Sequence, residues 1–432
     1  MNISVVGTGY VGLVQGVGMA EKGHRVVCVD IDEEKVEKMK RAISPIYEPG
    51  LEELMKKNID EGRLFFTTNL TEAIKQTQVV FIAVGTPQGK NGEADLSQVY
   101  TVAHEIGQVL DGYKVIVNKS TVPVGTSKKV KEIISEYYSD NIDIVSNPEF
   151  LREGLAVRDF LFPDRIILGV NPESPARIIL EEVYRKFDCP KVFTVPESSE
   201  LIKYASNAFL ATKISFINEI AGICEKVGAD VKEVAHGMGL DKRIGDQFLD
   251  AGIGYGGSCF PKDTRALHQI SNINNNEFKI LKAVIEVNNN QKKLIKEKIK
   301  NSFPDMRGKT FAVWGLSFKP DTDDVRESPA INLIRWLVGR GAKIKACDPI
   351  AISNAKNHLP HDVEYFDSPY DAAQGADGVV VITDWSHFKE IDKNLLKEVL
   401  GENNIFDGRN IFDPKEMKEL GFNYHGIGRR IW

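Results

Sequence analysis

The chain has 432 residues, 42% of them hydrophobic and 27% charged, and a net charge of -6. That length is too great for one core and predicts two or three domains, while the composition is globular and excludes a largely disordered chain. The acidic balance speaks against nucleic acid or an anionic membrane surface as the main partner, and no apolar run approaches the roughly 20 residues of a membrane span.

The five cysteines are odd in number and scattered, so they offer no disulfide framework and no metal-ligand spacing; no metal is expected. The first residues run directly into a strand with no basic-then-apolar leader, which makes a reducing cytoplasm the expected compartment.

Asn2–Val6 reads as a buried parallel strand. Gly7-Thr-Gly-Tyr-Val-Gly12 follows at once, then a helix-compatible run from Leu13 to Lys22, a stop at Gly23, and a second strand, Arg25–Val29, closed by Asp30. A lone GxGxxG is weak, but strand, glycines, helix, second strand and an acid about 20 residues on form the dinucleotide fingerprint in full. Gly7 permits the tight turn, Gly9 lets a pyrophosphate approach, and Gly12 allows close helix–strand packing. Asp30 favours NAD over NADP, because a 2'-phosphate would meet a carboxylate. Cys28, inside the strand, reads as an inert core residue.

Alternating strands and helices continue. Val79–Val84 ends in Gly85-Thr86-Pro87, Lys114–Asn118 in Lys119-Ser-Thr-Val-Pro-Val-Gly125, and Ile142–Val145 in Ser146-Asn-Pro-Glu-Phe-Leu-Arg-Glu-Gly154. Ligands of doubly wound sheets bind outside the carboxyl ends of strands, where all three polar loops fall. Glu149 and Glu153 are four apart, so one helical turn would put them on one face, either as active-site acids or as a solvated helix start after Pro148. Thr86 and Thr121 read equally well as ligand contacts or turn hydroxyls.

Residues 198–228 form one long helical pattern that Ser198 or Ser199 can cap and Gly228 can stop. Leu201, Ala205, Ala208 and Thr212 make a stripe suited to close packing against another helix. Lys203 and Asn207, again four apart, are either solvated or functional. Helical sequence resumes from Thr264 to about Lys300.

Between these helices lies Gly252-Ile-Gly-Tyr-Gly-Gly-Ser-Cys-Phe-Pro-Lys-Asp263. Its glycines suit a backbone that must approach something closely. Cys259 is the one cysteine in such a glycine-rich turn, with Lys262 and Asp263 close behind it, and a neighbouring positive charge makes a thiol a better nucleophile. The bland reading is a flexible turn with an incidental cysteine.

From Gly308 the opening layout recurs without its glycines. Thr310–Trp314 is a strand, Gly315–Pro320 a polar turn, Ala330–Val338 a helix, and Lys343–Cys347 a strand ending at Asp348. Strands Gly378–Ile382 and Asn404–Phe406 follow. Lys319, Arg326 and Glu327 stand near the first turn, and this half reads as a second α/β domain that binds a nucleotide differently.

Gly7–Gly12, Tyr47-Glu-Pro-Gly50, Ser120–Gly125, Asn147–Gly154, Gly256-Gly-Ser-Cys-Phe-Pro-Lys-Asp263, Phe318-Lys-Pro and Arg326-Glu-Ser, in that order, resemble the UDP-glucose/GDP-mannose dehydrogenase family along essentially the whole chain. The cysteine segment and Phe406-Asp-Gly-Arg409 are similar to its UDP-glucose members; GDP-mannose members tend to Leu where this chain has Phe260, and GDP-mannose or another UDP-sugar stands as the alternative.

The resemblance implies two Rossmann-like doubly wound α/β domains joined by a long central helix and a helical dimerisation region. Residues 1–197 would bind NAD, 198–300 would dimerise and carry the cysteine, and 301–432 would bind the UDP-sugar. It also implies a four-electron oxidation of UDP-glucose to UDP-glucuronate, with Cys259 as nucleophile, Lys203 and Asn207 on the oxyanion, Asp263 and Thr121 on water, and Glu149 and Glu153 as base or ordering groups.

NAD contacts carry over to Gly7, Gly9, Tyr10, Val11, Gly12, Asp30, Lys35, Thr86, Thr121, Glu153, Lys262 and Arg326. Sugar-nucleotide contacts carry over to Glu149, Phe150, Leu151, Arg152, Glu153, Lys203, Asn207, Phe248, Leu249, Asp250, Ala251, Gly252, Gly256, Lys319 and Arg409, and to Arg243, which in the family reaches the neighbouring subunit's substrate.

Two other classes compete. A two-electron alcohol dehydrogenase leaves the second α/β domain and the Cys259–Lys262–Asp263 group without a purpose. A non-catalytic nucleotide sensor needs no thiol at all.

Overall fold

The computed structural model describes residues 1–140 and 142–430. It divides into two compact units, Met1–Ser206 and Asn207–Trp432.

In the first unit, β1 (Asn2–Val6), β2 (Arg25–Val29), β3 (Leu64–Thr67), β4 (Val79–Ile82), β5 (Val115–Asn118), β6 (Asp143–Ser146), β7 (Ile166–Gly169) and β8 (Lys191–Thr194) form one sheet in the order β3-β2-β1-β4-β5-β6-β7-β8. Every pairing is parallel except β6 with β7, which is antiparallel. All residues of β4 and β5 are buried, because helices cover both faces and the strands are apolar, but for Asn118 at the end of β5, rather than alternating. The strand order reverses between β1 and β4. The loops at Gly7–Gly12 and Gly85–Pro87 therefore open at the crevice where doubly wound sheets bind ligands.

In the second unit, β9 (Thr310–Trp314), β10 (Lys343–Cys347), β11 (Glu364–Phe366), β12 (Gly378–Val381), β13 (Asn404–Asp407) and β14 (Asn423–His425) form an all-parallel sheet ordered β11-β10-β9-β12-β13-β14. This repeats the order of the first six strands of the other sheet. Gly315 turns the chain after β9 with a φ of 93°, close to the 92° of Gly7 after β1.

The copy differs at its acid. Asp348, after β10, is buried and accepts from the backbone N–H of Leu316, Ser317, Ile350 and Ala351 and from the indole N–H of Trp385. A carboxylate so engaged has no oxygen left for a ribose. This gives the missing glycine motif a structural counterpart.

Several sequence expectations change. The long helix runs Pro196–Val227, starting before Ser198 and Ser199, because proline's fixed φ suits a first helical turn. Ser199 is buried and its hydroxyl donates to the Ser146 carbonyl at 3.0 Å. Gly228, with a φ of 76°, ends the helix as expected. The division between the two compact units falls inside this helix, between Ser206 and Asn207. Of the expected packing stripe, Leu201 and Ala205 are exposed, whereas Ala208 is buried.

The run expected from Thr264 to Lys300 is two helices, Phe260–Ile273 and Lys279–Ser302; the asparagines between them turn the chain, with Asn275 at a φ of 54°. Among the described residues no helix is long and apolar enough to cross a membrane.

Candidate active site

Three glycines after β1 are required for three different reasons. Gly7 has a left-handed φ, and a Cβ on Gly12 would lie 1.9 Å from the Gly7 carbonyl oxygen. Gly9, the residue that starts the helix Tyr10–Glu21, has nothing within 4 Å of where its Cβ would be. The protein itself leaves that space open, beside the unpaired N–H groups of a helix N-terminus that suit a phosphate.

Asp30 sits alongside. Its Oδ2 accepts from the Thr8 N–H at 3.0 Å, the Thr8 hydroxyl at 2.5 Å and the Lys35 ammonium at 2.7 Å. Burial raises its proton affinity, but Lys35 and Thr8 outweigh that and bring the carboxyl down to about 2. These residues fit a dinucleotide: an open phosphate cradle and an ionised acid at the ribose position.

Tyr10, expected at the cofactor, gives its hydroxyl to Glu48. Buried Glu48 also takes the N–H groups of Gly154 and Ala156, each at 2.7 Å. It ties the glycine loop to the segment after β6 and caps the short helix that begins at Ala156. Its part was hidden in the Tyr47–Gly50 motif.

That segment corrects another expectation, because Glu149 and Glu153 do not share a helical turn; residues 147–155 are irregular. The Glu149 carboxylate accepts the Leu151 N–H at 2.6 Å, and Gly154 has a φ of 80°, so local bonds compete with a helix. Glu149 is buried and ion-paired to Lys203 at 2.8 Å. Burial opposes its ionisation, but Lys203 and the Leu151 N–H hold it below the usual carboxylate range.

The Phe150 ring lies under the Arg165 guanidinium, whose carbon is 3.7 Å from the ring centroid, and the Lys203 ammonium is 5.4 Å from that centroid. Arg152 turns away to a two-pronged pair with Asp159, at 2.8 and 2.6 Å. The Thr86 hydroxyl donates to the Thr121 carbonyl at 2.9 Å, joining the loops after β4 and β5. Glu200, also unanticipated, accepts from Gly125 N–H, Ser127 N–H and the Ser127 hydroxyl, so the long helix anchors the Thr121 loop one turn before it presents Lys203.

In the second unit, Cys259 immediately precedes the helix Phe260–Ile273, half-buried, with the Ser258 hydroxyl 3.6 Å from its sulfur. Desolvation pushes Cys28 and Cys347 up to about 12 and raises Cys189 and Cys224 as well. One turn on from Cys259, buried Asp263 accepts from the Asn207 amide at 2.6 Å and from the Lys262 ammonium at 2.5 Å. Asn207 Nδ2 thereby spends one N–H and keeps one.

The glycine-rich stretch is buried and not a flexible turn. What its backbone approaches is the protein. A Cβ on Gly256 would lie 2.4 Å from the Glu327 carbonyl oxygen, one on Gly257 2.6 Å from the Phe318 ring, and one on Gly252 2.8 Å from the Gly408 carbonyl oxygen. Gly252 is further held by Asn218 and Gln291, and Tyr255 by Asn288.

Arg409 donates to the carbonyls of Ile382, Gly254 and Phe318, which places it beside this stretch and the turn carrying Lys319. Phe248, with a φ of 64°, packs near Phe260; Leu249 and Ala251 are buried and Asp250 is exposed. Arg326 pairs with Asp324, and Arg243, 89% exposed, pairs with Asp241.

Residues 1–188 match the NAD binding domain of the UDP-glucose/GDP-mannose dehydrogenase family, 197–290 its central domain and 312–414 its UDP binding domain. The chain belongs to that family. It is 51% identical over 432 residues to the UDP-glucose 6-dehydrogenase YwqF of Bacillus subtilis, covering 100% of this chain and 98% of the relative. It is 49% identical to the UDP-glucose 6-dehydrogenase of Rhizobium meliloti, covering 99% and 100%.

Among solved structures, a UDP-glucose dehydrogenase from Pyrobaculum islandicum aligns with a TM-score of 0.93 at 40% identity, covering 99% of this chain and 97% of that one. A GDP-mannose dehydrogenase from Pseudomonas aeruginosa aligns at 0.56 and 31%, covering 99% and 100%. This chain is thus an NAD-dependent oxidoreductase of the family.

Proposed function

We propose that the chain oxidises UDP-glucose to UDP-glucuronate, a four-electron reaction at the sugar's primary alcohol, through a covalent intermediate on Cys259. The observation that carries the covalent step is the setting of Cys259: half-buried at the start of a 14-residue helix, one turn from an Asp263 already held by Asn207 and Lys262. Full-length similarity to UDP-glucose dehydrogenases supports the choice of sugar.

NAD, when bound at Gly7–Gly12 and Asp30, supplies the acceptor for the hydride lost in each oxidation. The residues do the rest. An aldehyde has no hydride to lose until a nucleophile adds to its carbonyl. The Cys259 thiolate forms the carbon–sulfur bond, and the resulting thiohemiacetal carries the hydrogen removed in the second oxidation. The product is a thioester. Water adds to it, the carbon–sulfur bond breaks, and the carboxylate leaves with the thiol restored.

Lys203 and the spare N–H of Asn207, four residues apart on the long helix, stabilise the oxyanion. Asp263 and Thr121 orient and deprotonate water, and Glu149 and Glu153 order the sugar. Arg409 and Lys319 serve the nucleotide in the second unit.

We also propose self-association through the long helix. Phe209, Phe216 and Ile223 recur every seventh residue on one face and are 66%, 50% and 54% exposed, an apolar stripe that a second copy would cover. Arg243, extended into solvent, would serve the partner's site.

The deciding experiment is Cys259→Ala with NADH counted per sugar. The variant should fold, since a short half-buried side chain leaves no large cavity. It should still reduce a supplied UDP-sugar aldehyde with NADH but make almost no UDP-glucuronate. Uronate at near wild-type rate would mean the thiol is structural.

A further inference from the structure

Lys119 belongs to no role described so far. It stands just past the end of β5, is 7% exposed, and its ammonium donates to a neutral partner, Asn147 Oδ1, at 3.1 Å. The orientation of that amide is fixed on all sides. Asn147 Nδ2 donates to the Ile167 carbonyl at 2.7 Å, and its Oδ1 also accepts the Tyr184 hydroxyl at 2.5 Å. A buried ammonium held by a neutral amide is costly unless a nearby anion offsets it. The charged groups that act on it are Glu149, from the loop after β6, and Lys203, from the long helix; Tyr184 faces it through Asn147. The cluster is therefore two buried cations around one buried carboxylate.

We propose that Lys119 is a positioning residue: the second cation of a Lys119–Glu149–Lys203 cluster, holding Glu149 ionised and thereby Lys203 in place, without touching substrate. The inference rests on the role given above to Glu149 and Lys203. Three features support it. Glu149 has one ammonium within ion-pair reach, yet stays ionised although buried, and Lys119 contributes to that field. Lys119 itself is drawn down to about 8 by burial and by Lys203, against the pull of Glu149, so it carries its charge near neutrality. The Asn147 bonds to two separate elements lock the distance at which that charge acts.

The test compares Lys119→Gln, which keeps a donor toward Asn147 but no charge, with Lys119→Arg, which keeps the charge. The readout is kcat/KM for UDP-glucose from about pH 4 to pH 8, with the pH dependence of thermal unfolding alongside. Without the second cation Glu149 needs a higher pH to ionise. The acid limb should move up by about 0.5–1 unit in Lys119→Gln and return toward wild type in Lys119→Arg.

A profile for Lys119→Gln that superimposes on wild type, or an equal shift in Lys119→Arg, overturns the proposal. Should Lys119→Gln fail to fold, Lys119→Arg still decides, because a retained charge predicts a retained profile. Failure of the underlying reading looks different: wild-type protein would not oxidise UDP-glucose, or Lys203→Ala would do so at full rate.

Discussion

Replacing Lys203 by Met should destabilise the protein by about 3–5 kcal/mol, the range for stranding a buried partner charge. The 2.8 Å contact with Glu149 is worth about 6 kcal/mol gross at an effective dielectric near 20. The loss is smaller because the Leu151 N–H stays on the carboxylate at 2.6 Å and Lys119 lies close by. Met fills most of the vacated volume, so the cavity contribution is minor. The assay is urea unfolding of the ligand-free protein at pH 7, following the first transition, for Lys203→Met, Glu149→Gln and the double substitution. Neutralising Glu149 in the Lys203→Met background should return stability to within about 2 kcal/mol of wild type, since a neutral amide no longer needs a cation. The reasoning is refuted if Lys203→Met alone costs under about 1 kcal/mol, or if the second change restores nothing.

The glycines separate folding from binding: Gly9→Ala should leave the unfolding temperature unchanged while raising the KM for NAD at least about tenfold, because only a ligand contests that space. Gly256→Ala, aimed at a backbone oxygen, should cost about 1–3 kcal/mol and lower activity with it; equal stability of the two variants would contradict both claims. Asp30 lies below its unfolded value of 3.8, so its stabilisation is full above about pH 4 and is lost as pH falls toward 2; Asp30→Asn should remove about 1–2 kcal/mol of acid-dependent stability, discounted for partial exposure, and scans that overlay from pH 5 to pH 2 would show otherwise. Arg243→Ala should impair sugar-nucleotide binding but not NAD binding, and mixed dimers with Cys259→Ala should regain one working site; verified heterodimers without activity would rule out a role across the subunit boundary.

The opening strand, glycines, helix and second strand were legible because they are local: β1 and β2 have the bounds read from the residues, and the requirement at Gly7 is a backbone angle. The Cys259 loop was legible as a motif, but not the reason for its glycines. That reason is the carbonyl of Glu327, the ring of Phe318 and the carbonyl of Gly408, all distant in sequence. The pairing of Glu149 with Glu153 failed for a related reason. Spacing of four implies a shared face only in a helix, and Glu48, 106 residues upstream of Gly154, takes the N–H groups that start the helix later.

By itself the sequence determined the class of the molecule: two α/β halves, a dinucleotide loop with its acid, and one cysteine in a glycine-rich turn. Those features are short runs whose periodicity and turn chemistry act within a few residues. Only the tertiary structure decided which polar groups are already engaged. Asp30 and Asp348 look alike in sequence, each closing the second strand of its half. Yet Asp348 is enclosed by six donors, while Asp30 stands beside the empty space at Gly9. Arg152 and Arg326 turned to nearby acids, and Lys119 emerged as a buried charge. Hydrogen bonds and ion pairs are satisfied by whichever group the fold brings within about 3 Å. The folded chain makes that selection, and no local pattern encodes it.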